Sequence, residues 1–420
     1  MDNIVNIANE EKREALIKSR NLHLRGRWNR ILFMYVFFMA FPAIIIIQNI
    51  SIYIFGALLF FLLRYSKKNL VSLNKPLQWL ALIFGFGALL SVLNIPSDYA
   101  IDNVERALSV LPNYLYWSLL IIVMVHNRHL IDLNIVYKAV FWGTVILIVY
   151  YLFLQNFLVV IPVFALQSPN NFAFLMICFS PIAVYYLFRI RGKLWALGLL
   201  MIFVLILLIE GRRAGMVLVL LGGLGTLFIE RITFRHIFLT ACLVPLSVFL
   251  IYTDPFERFV FSASERIHQM IYETDKIRKE DPSYLTRVAM VNKGLTIFEQ
   301  YPYTGIGLNN FSNFTTKIDS DFEGAEFVIH KADINRKSAH NSYISLLAEG
   351  GLFLLVPFLL ILGSLILFFL LRINSMPEDR RPIFWGVLGM SVHLYFISAI
   401  VNVFAWFLIG LACAIVYKRD

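Results

Sequence analysis

Residues 338–352 read SAHNSYISLLAEGGL and mark the point where a long polar segment gives way to a strongly apolar one. His340 lies at that boundary, and Asn341, which follows it, is a residue type that caps helices. Glu349 comes about two helical turns further on, on the same helical face and deeper in the apolar segment. An ionisable group inside a membrane helix is costly and indicates a function by default. The alternative is a surface histidine beside a helix cap, and this stretch alone leaves both interpretations open.

The composition of the whole chain determines its class. The 420 residues are 59% hydrophobic and 15% charged, and apolar runs recur along nearly the whole length, which is typical of a polytopic membrane protein. The first long run starts near Ile31 and continues into further apolar runs, so it is interpreted as a retained span and not as a cleaved signal peptide. All three cysteines lie inside apolar runs, and no disulfide or zinc framework is expected.

The apolar runs predict an all-α protein with about twelve transmembrane helices. A basic segment, residues 1–30, is expected in the cytoplasm, followed by transmembrane helices in 31–253, a long polar segment in 254–340 and further transmembrane helices in 341–420. The predicted spans are 31–48, 50–64, 77–95, 107–125, 135–156, 169–189, 194–210, 214–230, 236–253, 341–371, 383–400 and 402–418.

The charges of the loops predict the orientation of the chain. Loops such as RYSKKN, RIRGK and RINSMPEDRR are basic, whereas the alternate set is neutral or acidic. By the positive-inside rule both termini are cytoplasmic and the 254–340 segment is periplasmic. The net charge of +10 is therefore read as topology, and no nucleic-acid partner is expected. One external loop breaks the rule, because EGRRAG places Arg212 and Arg213 between two apolar runs.

The 254–340 segment contains helical signals of its own. One candidate helix includes Arg287 and ends at the turn YPYTGIG, residues 301–307. No internal repeat is found, which argues against the inverted-repeat plan of many transporters. A single large external loop that leads into the His340 helix indicates a catalytic lid on a membrane base. His393, within a later span, is expected to be a packed polar group with a partner on another helix.

Arg213, Arg287 and His340 form a candidate site on the external side of the membrane. Guanidinium groups bind phosphate oxygens through planar bidentate hydrogen bonds, so two of them can neutralise a diphosphate without a metal. A neutral imidazole can take the proton of a hydroxyl that attacks the anomeric carbon of a diphosphate-linked sugar. The alternatives are a headgroup anchor for Arg212 and a solvated helix charge for Arg287, whereas the external Arg213 is the hardest to explain without a function.

The chain resembles the O-antigen ligase superfamily. The resemblance rests on the arginine turn between two central spans, on the arginine-led helix followed by YPYTGIGLNNF, and on the SAHNSYISLLAEGGL junction; it covers roughly residues 165–355. It implies a metal-independent, inverting glycosyltransferase of the C class (GT-C) in the bacterial inner membrane. Such an enzyme needs no cofactor and moves a glycan from undecaprenyl diphosphate to an acceptor hydroxyl.

The resemblance also implies roles for individual residues. His340 is the base or the acceptor-positioning residue, and Arg213 and Arg287 hold the diphosphate. The residues expected to support them or to line the same cavity are Asn341, Tyr343, Glu349, Arg212, Arg106 and Asn170.

Members of this superfamily join the glycan to lipid A core, polymerise repeat units or glycosylate protein. O-antigen ligation to lipid A core, a step of lipopolysaccharide biosynthesis, is the first expectation, and repeat-unit polymerisation on a growing glycan is the alternative. The other partners are the lipid-linked glycan donor and membrane lipids. A transporter of the same lipid-linked sugar is a further alternative, but it would place charges at the membrane midplane and gates on both faces.

Overall fold

The structure is a computed structural model that describes residues 26–38, 73–96, 101–149, 169–210, 212–229, 282–314, 337–400 and 402–418. Within these ranges all regular structure is helical. Residues 26–38 are helical, and Arg128–Leu130 form a short 3-10 turn. The α-helices that follow residues 26–38 are α1 (Pro76–Leu93), α2 (Ile101–His126), α3 (Leu133–Val149), α4 (Pro169–Arg191), α5 (Lys193–Ile209), α6 (Arg213–Phe228), α7 (Pro282–Gln300), α8 (Ser342–Arg372), α9 (Arg381–His393) and α10 (Val403–Val416).

The described helices confirm a helical membrane protein. Candidate spans that are long and apolar enough to cross a membrane are Pro76–Leu93, Asp102–His126, Asn170–Arg191 and Ser342–Arg372. Shorter apolar helices are Leu133–Val149, Lys193–Ile209, Ala214–Phe228 and Val403–Val416. The spans predicted at 50–64 and 236–253, most of the first span and most of the N-terminal segment that is predicted to be cytoplasmic lie outside the described residues, so the number twelve stays a prediction.

Two groups of helices build the core. In the first group α1 packs between α2 and α8, and α10 packs on α2. Trp406 of α10 lies at the centre of this group, where its ring is stacked on Trp117 with centroids 5.0 Å apart and lies 4.9 Å from Phe84 and 5.6 Å from Phe358. Large buried aromatic rings of this kind contribute much of the packing between helices.

The second group consists of α3, α4, α5, α6 and α9, with α4 in contact with all the others. Small residues let these helices approach closely. A side chain on Gly215 would meet Ala173, and one on Gly386 would meet the backbone oxygen of Cys178. Together with the ring contact between His393, at the end of α9, and Phe174, near the start of α4, these contacts show that α4 and α6 start at the end of the bundle where α9 finishes. Contacts of α9 with α8 and α10 join the two groups.

Two predicted spans differ from the structure. The 341–371 span is interrupted at Gly351, whose φ of 58° and ψ of −155° are not helical. The 383–400 span ends early, because α9 stops at His393. The start of α8 accounts for the second difference: Ser342 N donates to Leu394 O at 2.8 Å, and Ser342 Oγ donates to Ile397 O at 2.6 Å. These bonds hold residues 394–399 as a turn.

Candidate active site

The turn YPYTGIGLNNF, residues 301–311, fits into the interruption of α8. A break in a helix leaves backbone N–H and C=O groups without partners inside that helix. The turn supplies those partners in both directions, so the two sequence motifs form one structural unit. The bonds run from Ile306 N to Ala348 O, from Gly307 N to Glu349 O, from Leu352 N to Pro302 O and from Phe353 N to Tyr303 O, at 3.0, 3.0, 2.9 and 3.1 Å.

Two glycines make this fit possible. Gly351 has a φ of 58° with an extended ψ, a combination that is essentially restricted to glycine. Gly305 also has a positive φ, of 65°. A Cβ atom on Gly351 would overlap the backbone of Tyr303, and one on Gly305 would overlap the backbone of Glu349. A side chain at either position would therefore push the turn away from the helix.

The carboxylate of Glu349 is buried beneath this turn, with 7% of the residue exposed. Its Oε1 accepts a hydrogen bond from Phe311 N at 3.2 Å, and the carboxylate also accepts bonds from the Asn309 backbone and the Ser345 side chain. The Glu349 carbonyl accepts a bond from Ser91 Oγ of α1 at 2.5 Å. Glu349 thus fastens the turn to α8 and α8 to α1, whereas its predicted support of catalysis stays a prediction.

His340 is half-buried in the turn that precedes α8. Its φ of 50° is left-handed, a conformation that costs a non-glycine residue about 1–3 kcal/mol. The predicted cap at Asn341 forms, since its Oδ1 accepts bonds from Tyr343 N at 2.9 Å and from Ile344 N at 3.2 Å. The strained backbone and the cap together fix the backbone position from which the imidazole side chain extends. Tyr343 extends this support, because its hydroxyl donates to Ser391 O of α9 at 2.7 Å.

The surroundings of His340 favour its neutral form. Burial lowers its pKa below the usual 6.5, and like-charge repulsion from Arg287 and Lys337 lowers it further. Arg287 is exposed on α7, which packs on the first turns of α8 through contacts such as Gly294 with Ile344. Arg287 is therefore close enough to His340 to lower its pKa, whereas their predicted shared role in catalysis stays a prediction. Glu349 is not among the groups that shift the pKa of His340.

Arg213 is the first residue of α6, at the end of the bundle where α4 also starts and α9 finishes. Its side chain lies outside what the structure describes, so its predicted contact with the diphosphate stays a prediction. The neighbouring Arg212 is half-buried, and its Nε has no hydrogen-bond partner among the described residues.

The two outlying candidates lie at the same end of the bundle. Asn170 is exposed in the first turn of α4, next to Asn171, whose Oδ1 accepts a bond from Asn402 Nδ2 at 3.3 Å. Arg106 is exposed on α2, one helical turn before Val110 and on the same face. Nearby on α2, the Asn103 carbonyl accepts a bond from the Asn310 side chain at 3.1 Å.

A cavity of about 180 Å³ opens beside this unit, between the turn, the start of α8, α2 and the segment after α9. Hydroxyl, amide and carboxyl groups line much of it, and such groups can exchange hydrogen bonds with sugar hydroxyls. Apart from Glu349, these residues escaped sequence reasoning, because single polar residues scattered over a loop and two membrane helices form no sequence pattern. The polar lining residues are Tyr114, Asn309, Ser312, Ser338, Ser345, Glu349 and Ser398.

Lys293 of α7 is a further residue that the sequence reasoning missed. It is only 2% exposed, its Nζ lies 4.8 Å from the centre of the Phe311 ring, and burial lowers its pKa to about 8. The sequence does contain a signal for its burial, because Met290, Lys293 and Ile297 have the spacing of residues on one buried face of a helix.

His393 is the last residue of α9. Its ring stacks on Phe174 of α4 with the centroids 5.8 Å apart, so it is packed against another helix as predicted. Within the part of the chain that the structure describes, neither ring nitrogen has a hydrogen-bond partner.

The fold and this arrangement define a helical membrane protein in which a loop helix and a turn dock onto an interrupted membrane helix beside a histidine. The described residues contain no group of three or more His, Cys, Asp or Glu side chains that could hold a metal ion. Residues 154–359 match the family model described as O-Antigen ligase. This match confirms the resemblance to the O-antigen ligase superfamily that the two motifs carry. No curated protein matches the chain significantly.

Proposed function

We propose that this protein is an inverting, metal-independent glycosyltransferase of the C class that performs O-antigen ligation. It moves a glycan from undecaprenyl diphosphate to a hydroxyl of lipid A core. The observation that carries the proposal is a half-buried histidine, whose pKa is lowered by burial and by the charge of Arg287, near a cavity with several hydroxyl groups in its lining. The match to the O-Antigen ligase family model supports ligase or polymerase activity in general.

The proposed reaction assigns one task to each group. The acceptor oxygen forms a bond to the anomeric carbon of the glycan while the bond from that carbon to the diphosphate oxygen breaks, which inverts the configuration. His340 takes the proton of the acceptor hydroxyl, a contribution of about 10²–10⁴-fold for a positioned base. The diphosphate leaves with the bonding electron pair, and Arg287 and Arg213 stabilise its charge.

The proposed orientation places this end of the bundle in the periplasm of a cell with an inner membrane. Residues 254–340 then form a periplasmic catalytic loop, and both termini are cytoplasmic. The alternation of basic and neutral loops supports this orientation.

Reconstitution with defined acceptors tests the reaction. Purified protein in liposomes receives undecaprenyl-diphosphate-linked glycan together with either lipid A core or a second lipid-linked glycan, and the products are separated by size. Ligation predicts extension of lipid A core. Growth of the lipid-linked glycan without any lipid A product would instead support the repeat-unit polymerase, which uses the same donor.

The role of His340 is tested in the same assay. We expect His340→Ala to bind the lipid-linked donor normally and to transfer glycan at least about a hundredfold more slowly, as loss of a general base requires. The matched control is His129→Ala, an exposed histidine in the 3-10 turn at the other end of the bundle. A near wild-type rate for His340→Ala, or a defect confined to donor binding, would remove His340 from the chemistry.

A further inference from the structure

A second cavity, of about 230 Å³, lies far from His340. Its walls are the end of α8, the turn that follows it and the end of α10. The part of α8 after the break, residues 352–372, rises about 32 Å at about 1.5 Å per residue. This is the thickness of the hydrocarbon core of a bilayer. The cavity therefore lies at the membrane surface opposite the candidate active site.

Three cations line this cavity: Arg372, Arg380 and Lys418. Backbone carbonyls hold two of them in place, since Arg380 Nη1 donates to Lys418 O at 3.3 Å and Lys418 Nζ donates to Ile131 O at 2.8 Å. The acidic residues of the same turn, Glu378 and Asp379, are not among the lining residues. The cavity thus brings three positively charged side chains to one point of the surface.

The cavity continues into an apolar surface. Phe368 lines it from α8, and the next residues of the same helix are exposed: Leu367 by 57%, Leu370 by 53% and Leu371 by 73%. A free anion would gain nothing from these leucines. A molecule with an anionic head and hydrocarbon chains would use both parts of the surface, with its phosphate in the cavity and its chains along α8.

We propose that this cavity binds the headgroup of an anionic phospholipid. Basic pockets between transmembrane helices bind anionic headgroups in this way, and each nearby Lys or Arg strengthens such binding. In the orientation proposed above the lipid belongs to the cytoplasmic leaflet. The site depends only on the described ends of α8, α9 and α10, so it does not require the proposed glycosyl transfer.

Lipid titration of the purified protein tests the proposal. The protein in neutral detergent is titrated with phosphatidylglycerol or phosphatidylcholine, and bound lipid is counted by native mass spectrometry. We expect a phosphatidylglycerol adduct that survives mild activation and no comparable phosphatidylcholine adduct. Arg372→Gln and Lys418→Gln should each weaken phosphatidylglycerol binding about fivefold. Ser375→Glu removes no cation but adds a negative charge at the cavity wall, and it should weaken binding at least as much.

The matched control is Arg191→Gln, because Arg191 is an exposed arginine at the end of α4 that lines neither cavity. It should leave phosphatidylglycerol binding unchanged. Equal weakening by Arg191→Gln would mean diffuse surface attraction and would overturn the site. Wild-type binding in the three cavity variants would overturn it as well. Displacement of the lipid by millimolar inorganic phosphate would show a site for a soluble anion, and the lipid assignment would fail.

Discussion

Replacement of Gly351 by alanine should separate the turn at residues 301–311 from α8. The native conformation of Gly351 is essentially restricted to glycine, and a non-glycine residue there costs about 1–3 kcal/mol. A Cβ would also overlap the backbone of Tyr303. Relief of the overlap breaks the bonds from Leu352 N and Phe353 N to the turn, each of which contributes about 0.5–1.5 kcal/mol. The attachment of the turn should therefore weaken by about 2 kcal/mol or more.

Amide hydrogen exchange measures this weakening directly. The amides of Ile306 and Gly307 are bonded to carbonyls of α8, so they exchange when the turn opens. A loss of about 2 kcal/mol raises the open population about 30-fold, and exchange at these two amides should accelerate by a similar factor. Glycan transfer should fall in parallel, because the turn also positions residues of the candidate site.

The matched control is Gly363→Ala in the same helix. No atom lies within 4 Å of a Cβ at Gly363, and alanine in a helix is favoured over glycine by about 1 kcal/mol. We therefore expect Gly363→Ala to keep the wild-type exchange at Ile306 and Gly307. Wild-type exchange in Gly351→Ala, or equal acceleration in both variants, would refute the role assigned to the break.

Three further predictions concern charge. Arg287→Gln removes a cation that lowers the pKa of His340. The acid limb of the profile of kcat against pH is expected below pH 6.5, and it should move to higher pH in this variant. An unchanged acid limb would contradict the prediction. The pKa of Lys293 falls to about 8 in the folded protein, whereas the pKa of an unfolded lysine is about 10.4. Between these two pH values the unfolded chain binds more protons than the folded protein, so thermal stability should rise from about pH 8 to about pH 10.4. Lys293→Met should lose this rise. Glycan transfer should survive excess EDTA, because the proposed diphosphate site uses arginines in place of a metal; loss restored by magnesium would reject that assignment.

The local features of the fold were predictable from short stretches of sequence. Apolar runs predict the membrane helices, and the proline turns on either side predict α7, which spans Pro282–Gln300. The cap at Asn341 needs only the next two amides. Each of these features depends on residues that are close in sequence, so each can be predicted from the sequence.

Features that depend on distant residues could not be predicted in this way. The sequence AEGGLF lies in an apolar run and fits a continuous helix. The interruption at Gly351 becomes favourable only because a turn earlier in the chain, at residues 302–307, supplies the missing partners. The burial of Lys293 and the bonds of the Glu349 carboxylate depend on the same docking. Of the candidate site, the motif pattern predicted the proximity of Arg287 and His340, whereas the polar lining of the cavity required the packed structure.

The reciprocal bonds between the turn and α8 set the order in which the site is built during synthesis. Residues 301–311 leave the ribosome first, but their partners at residues 348–353 come later and belong to a helix that has still to enter the bilayer. The turn therefore cannot dock until α8 has been translated and inserted into the bilayer. A product truncated before residue 348 would carry Arg287, His340 and Lys293 and still have no place for the turn to dock.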